Sequence, residues 1–221
     1  MQDEQLKNSD LEDVNDVLKQ IETSFGINFG TNELQHIKTF GELCDIVESK
    51  IHLFNATTCT SQQAFYKLRK ALKVYTESSC ITSASLLSDL LPARRRKLIW
   101  RSVEHQLGFK LDIMGMSSTV STALVLAFLA SLLAFFIDKK VAIISLVAWG
   151  LCTNFAAKTG NTLQVQTIQE CVEKMTREQY IKSRRNPATF NQQEIFQQVQ
   201  QLFIKGLYLP ASALGRDATF A

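Results

Sequence analysis

Between Met114 and Ile137 no residue carries a charge; three polar residues, Asp138, Lys139 and Lys140, follow, and a second uncharged run extends from Val141 to Ala157. The apolar positions are continuous, not periodic. The first run, with STVSTALVLAFLASLLAFFI at its centre, exceeds the roughly 20 residues an α-helix needs to cross about 30 Å of hydrocarbon, and the second lies near the lower limit of about 17. The pattern predicts two antiparallel membrane-spanning helices joined by a tight polar turn, covering residues 114–157, with both flanking segments on one side. The alternative is a pair of buried helices in a large soluble core. Such helices usually show a polar stripe, whereas these carry only Ser, Thr, Asn, Cys and one Trp as polar relief.

Outside these runs the apolar positions recur at helical spacing. Val14, Val17, Leu18, Ile21 and Phe25 define one amphipathic helix, and Leu98, Ile99, Val103 and Leu107 another that starts from Arg94. A glycine stops each, and an alternating apolar turn follows: Phe25-Gly26-Ile27-Asn28-Phe29 and Leu107-Gly108-Phe109-Lys110-Leu111. Thr39 with Glu42, and Thr167 with Glu170, have the spacing of capping boxes that open short helices. A third pair of amphipathic helices starts at Ser61-Gln-Gln and Asn191-Gln-Gln. The chain therefore repeats itself. One unit, residues 60–113 with 164–185, has a first helix from Ser61, a long loop from Ser85 to Leu91, a second helix from Arg94 and a last helix from Thr167. The uncharged runs are inserted in it. The other unit, residues 1–54 with 188–221, begins with its second helix and finds its first only near the C-terminus, as a circularly permuted copy would. It closes within one chain or between two.

Helix, long loop, helix closing with E-x-x-F-G-I, then T-x-G-E-L is a pattern that resembles acyl carrier proteins. Ile21-Glu22-Thr23-Ser24-Phe25-Gly26-Ile27-Asn28-Phe29 is similar to that family's second helix, Ile37-Lys38-Thr39-Phe40-Gly41-Glu42-Leu43 to its last, and Leu214-Gly215-Arg216-Asp217-Ala218-Thr219-Phe220 to its first loop. The resemblance implies an all-α fold of two small helical bundles, with activity carried on a phosphopantetheine thioester at the serine of a D-S-L motif. This chain departs from the family at that serine. The modified position of the central unit falls at Pro92-Ala93-Arg94, without a hydroxyl, and that of the permuted unit at Asp10-Leu11-Glu12, with Ser9 about half a helical turn away. Ser9 is the one candidate for phosphopantetheine, or else an N-cap. The acidic helix start Asp10, Glu12, Asp13 and Asp16 favours a helix N-terminus; the resemblance also makes it a surface for basic protein partners, such as lipid or acyl-chain metabolic enzymes.

Charge adds an orientation. Arg94, Arg95, Arg96, Lys97, Arg101 and Lys110 precede the first run, and Lys158, Lys174, Arg177, Lys182, Arg184 and Arg185 follow the second. Both termini are thus expected on the cytoplasmic face of an inner or plasma membrane. The start MQDEQLKNSDLEDVND is polar and acidic, unlike a signal peptide. Arg94, Arg95, Arg96, Lys97, Trp100 and Arg101 could meet lipid headgroups, with Trp100 at the interface, or simply form a solvated orienting face. Arg184 and Arg185 read as solvated charge. A formal net charge of +3 gives no reason to expect nucleic acid, and the five cysteines lack a CxxC pair and read as reduced thiols. His36, His52 and His105 stand alone, so no metal is expected. No nucleophile motif or glycine-rich phosphate loop occurs. A non-catalytic, membrane-anchored scaffold or docking protein is the function expected, against a tethered acyl carrier or an anionic-lipid-binding membrane organiser.

Overall fold

The computed structural model describes residue 6 and residues 10–76, 80–136 and 138–220. These residues are mostly helical. In chain order the helices are α1 (Leu11–Phe25), α2 (Phe40–Lys50), α3 (Thr60–Leu72), α4 (Leu87–Leu90), α5 (Arg96–Leu107), α6 (Ser118–Ala134), α7 (Lys139–Thr159), α8 (Ile168–Glu178), α9 (Tyr180–Ser183) and α10 (Gln192–Leu207), with a 3-10 turn at Ala211–Ala213. Two-residue strands clip the connections together. Phe54–Asn55 pairs in parallel with Thr189–Phe190, and Met114–Gly115 antiparallel with Thr162–Leu163.

Apolar side chains gather in two clusters. The central one takes Leu68 and Leu72 from α3, Leu87 from α4, Trp100 and Val103 from α5, and Ile168 and Met175 from α8. The terminal one takes Val17 and Ile21 from α1, Phe40 and Leu43 from α2, and Val199 and Phe203 from α10, with Leu214 and Ala218 beyond it. Each fully buried Leu or Phe contributes about 1.5–3 kcal/mol by leaving water. The clusters touch where α8 meets α1 and α10. There the Ser24 hydroxyl donates to the Arg177 carbonyl at 2.7 Å and accepts from the Tyr180 amide at 3.1 Å. Tyr180 and Ile181 pack in the terminal cluster, while the short helix α9 that carries them also lies against α3 and α8 of the central one.

Much of the local chemistry repeats between the clusters. Gly26 and Gly108 end α1 and α5 in the left-handed conformation, at φ 65° and 82°, which a side chain would disfavour. The Glu22 carboxylate then accepts from the Phe29 amide at 2.6 Å, and the Glu104 carboxylate from the Leu111 amide at 2.7 Å. At the start of α2, Phe40 and Gly41 donate to the carbonyls of Ala218 and Arg216; at the start of α8, Ile168 and Gln169 donate to those of Ser85 and Ser83. Thr39 bridges Thr219, and Thr167 bridges Leu86. In both caps the threonine hydroxyl accepts from the glutamate amide three residues on. The Glu42 carboxylate accepts from the amides of Lys38 and Thr39, and the Glu170 carboxylate from that of Gln166, the counterpart of Lys38.

Helices α6 and α7 lie side by side outside both clusters. Trp149 Nε1 donates to the Leu124 carbonyl at 2.8 Å, and its ring meets Phe128 with centroids 4.9 Å apart. Within these helices only Ser131 and Ala142 are buried. Val125, Leu126, Leu129, Leu133, Ile143, Ile144, Val147, Leu151 and Phe155 are exposed. Among the described residues α7 is the one helix long and apolar enough to cross a membrane; α6 is apolar and shorter. This reverses the expected ranking of the two runs. Ser117 caps α6 and Phe135–Phe136 form a turn, leaving 17 helical residues, whereas Asp138 caps α7 and lets it take in Lys139, Lys140 and Lys158 over 21 residues.

Candidate functional site

The paired helices join the central cluster through a neck of specific bonds. Arg96 donates through Nε to the Leu91 carbonyl at 3.1 Å and through a terminal nitrogen to the Asn161 carbonyl at 2.8 Å. Asn161 returns its side-chain amide to the Ala93 carbonyl at 2.7 Å, and Lys97 Nζ donates to the Lys158 carbonyl at 2.9 Å. The start of α5 is thereby fixed against the end of α7. Helix α5 begins at Arg96, with Arg95 as its cap, two residues after the expected Arg94. A cavity of about 170 Å³ opens at this neck, lined by Lys97, Arg101 and Lys158 together with Glu104 and Asp112.

The basic run divides by role. Arg94, Arg95 and Arg101 are exposed, Lys97 is half-buried beside α7, and Arg96 is spent on carbonyls. Trp100 is no interface anchor. It is 4% exposed, and its Nε1 donates to the Leu111 carbonyl at 2.9 Å, because position 100 falls on the face of α5 that covers the core. The large apolar residue that faces solvent on α5 is Leu98, 69% exposed. Sequence spacing had placed Leu98 inward with Ile99, and one step around the helix separates the two faces.

Arg184 corrects a second expectation. It is fully buried, not solvated. Its guanidinium donates to the carbonyls of Thr58 and Ala56 and to the hydroxyls of Thr58, Thr60 and Thr189. Glu194 lies 3.9 Å away and accepts from Thr60 and from the Tyr180 hydroxyl. Burial pushes the Tyr180 phenol up to about 12. This network ties the link between the clusters to the start of α10. Arg185 is exposed.

The acidic residues lie at the start of α1. Asp10 is its cap, accepting from the Glu12 amide at 3.0 Å, and Glu12, Asp13 and Asp16 are exposed, with Asp16 paired to Lys19 at 3.1 Å. Ser9 lies outside the described residues. Beside α1 is an apolar cavity of about 330 Å³, lined by Leu11, Val14, Leu18, Leu34, Ile37, Leu43 and Phe220. A larger cleft of about 500 Å³, lined by Lys19, Thr23, Lys110, Asp112 and Glu178, separates α1 from the end of α8 and offers charges of both signs. Cys44 and Cys171 are buried, which pushes each thiol up to about 12 and keeps it protonated. Among the described residues no group of three or more His, Cys, Asp or Glu could hold a metal.

Comparison of the chain with protein-family models, curated proteins and solved structures finds no match.

Proposed function

We propose that this chain is a non-catalytic, membrane-anchored scaffold or docking protein. Helices α6 and α7 form a transmembrane hairpin, and the two clusters are degenerate acyl-carrier-like bundles, the terminal one permuted, on the cytoplasmic face of an inner or plasma membrane. The observation that carries the reading is the row of exposed Ile143, Ile144, Val147, Leu151 and Phe155 along α7. A helix of 21 residues is about 32 Å long, the depth of the hydrocarbon, and this one has no core to cover its apolar side chains. The acyl-carrier-like part rests on the repeated bonds around Glu22 and Glu104, and on Ala93 standing where a carrier needs a hydroxyl. The exposed carboxylates of Glu12, Asp13 and Asp16 are the surface on which a basic protein partner docks, with charge complementarity setting encounter rate and choice.

The test is extraction and deletion. The full chain stays in membranes under alkaline carbonate, and a chain with residues 115–157 replaced by a short flexible linker is released in folded form. Release of the full chain by carbonate would sink the anchor.

The apolar cavity beside α1 favours one other reading, a membrane-tethered acyl carrier in which Ser9 bears phosphopantetheine and the cavity holds the acyl chain. Coexpression with a phosphopantetheinyl transferase and intact-mass measurement separates the two. An unchanged mass supports the scaffold, and a gain equal to the arm supports the carrier.

A further inference from the structure

From the neck geometry we infer that the exposed face of α5 is a binding site for an anionic phospholipid headgroup. The inference rests on the hairpin reading and deepens it by naming the lipid chemistry at its entry point. Leu98 and Arg101 are three residues apart on α5 and share an exposed face, and Arg94 and Arg95, in the turn that leads into the helix, are exposed at its start. The bonds from Arg96 to Asn161 and from Lys97 to Lys158 pin the start of that helix to the end of α7. If α7 spans the bilayer, this face sits at headgroup level. No side-chain hydrogen bond or ion pair of Arg94, Arg95 or Arg101 occurs among the described residues. Their guanidinium groups are free to take phosphate oxygens in the forked geometry that suits them.

Leu98 decides what kind of phosphate. A site for a free anion has no use for an apolar side chain 69% exposed between its cations. A lipid has: cations meet the phosphate while the leucine enters the boundary between headgroups and acyl chains. Glu104, whose carboxylate accepts from the Leu111 amide, remains charged and offsets one of the three free arginines, leaving the patch cationic. Asp112 lies on the neck cavity, beside the α7 end of the site. Each cation at an anionic surface strengthens attraction by about fivefold.

The experiment uses the full chain in nanodiscs of mixed phosphatidylcholine and phosphatidylglycerol, with lipids retained through detergent exchange counted by mass spectrometry. The unaltered protein retains phosphatidylglycerol in preference. The triple variant R94Q/R95Q/R101Q loses that preference by an order of magnitude or more, whereas K19Q/K38Q/K205Q, with the same charge removed from the terminal cluster, keeps it. Leu98→Ser lowers retention of both lipids, the effect a free-anion site would not show. Equal retention of the two lipids by the unaltered protein, or undiminished preference in the arginine variant, overturns the inference. Both proteins remain carbonate-resistant throughout; extraction of the unaltered protein would instead remove the hairpin on which the inference rests.

Discussion

Phe203 on α10 meets Phe40 on α2 edge-on, with ring centroids 5.2 Å apart and planes at 85°. The contact joins residues separated by most of the chain, and both rings are fully buried. Helices α1 and α2 alone present Val17, Ile21, Leu43 and Val47 with little to cover them, and fragments of fewer than about 40 residues rarely hold a core. Deleting residues 188–221 should therefore expose α1 and α2 to protease at low enzyme ratios. Full protection of a monomeric truncation would show that the N-terminal helices find their cover elsewhere.

The buried Arg184 predicts a large, specific loss of stability. Removing one partner of a buried charged network leaves the other uncompensated and costs about 3–5 kcal/mol. Arg184→Met should lower the denaturation midpoint accordingly. Arg184→Lys should recover little, because a single ammonium cannot serve the carbonyls of Ala56 and Thr58 and three threonine hydroxyls together. Equal stability of the lysine variant and the unaltered chain would show that the forked geometry is not needed.

Tyr180 gives the network a pH signature. Its folded-state pKa is raised to about 12 by burial, above the ordinary 10. The stability it confers is complete below pH 10 and is lost as pH rises from there through about 12. Tyrosinate absorbance should show one late ionisation that vanishes in Tyr180→Phe. A titration in which every tyrosine ionises near pH 10 before unfolding would contradict the buried placement.

Glu22 and Glu104 perform the same task in the two clusters, each accepting a backbone amide seven residues on. Hydrogen bonds to charged groups contribute about 1.5–3 kcal/mol. Alanine at either position should cost a similar amount, and the two costs should add, since the bonds lie in separate clusters. Thermal unfolding of the single and double variants gives the comparison.

What the sequence made legible was local. Thr39 with Glu42 is a capping box because both partners lie within one turn, and Gly26 and Gly108 announce helix ends because the left-handed conformation suits glycine. The mostly helical fold followed from such signals. Arg184 was misread because its burial is made by Ala56, Thr58 and Thr60, more than a hundred residues away, and its own neighbours Arg185 and Asn186 are polar and exposed. Trp100 was misplaced because a basic run beside an apolar stretch suggests an interface, while the helical phase that turns the indole onto Leu111 is set by tertiary packing. The lengths of α6 and α7 depended on which polar residue caps each, Ser117 or Asp138, and charge counting does not decide that.

The central claim is that α7 lies in hydrocarbon, and Cys152 tests it directly. Its thiol is exposed on α7, seven residues from the helix end at Thr159, or about 10 Å into the span. In a chain with Cys59 and Cys80 changed to serine, Cys44 and Cys171 stay buried in the two clusters. A water-soluble maleimide applied to membranes opened on both faces should leave Cys152 unlabelled until detergent denaturation. A control that keeps Cys80 should label at once. Rapid labelling of Cys152 in intact bilayers would contradict the transmembrane hairpin.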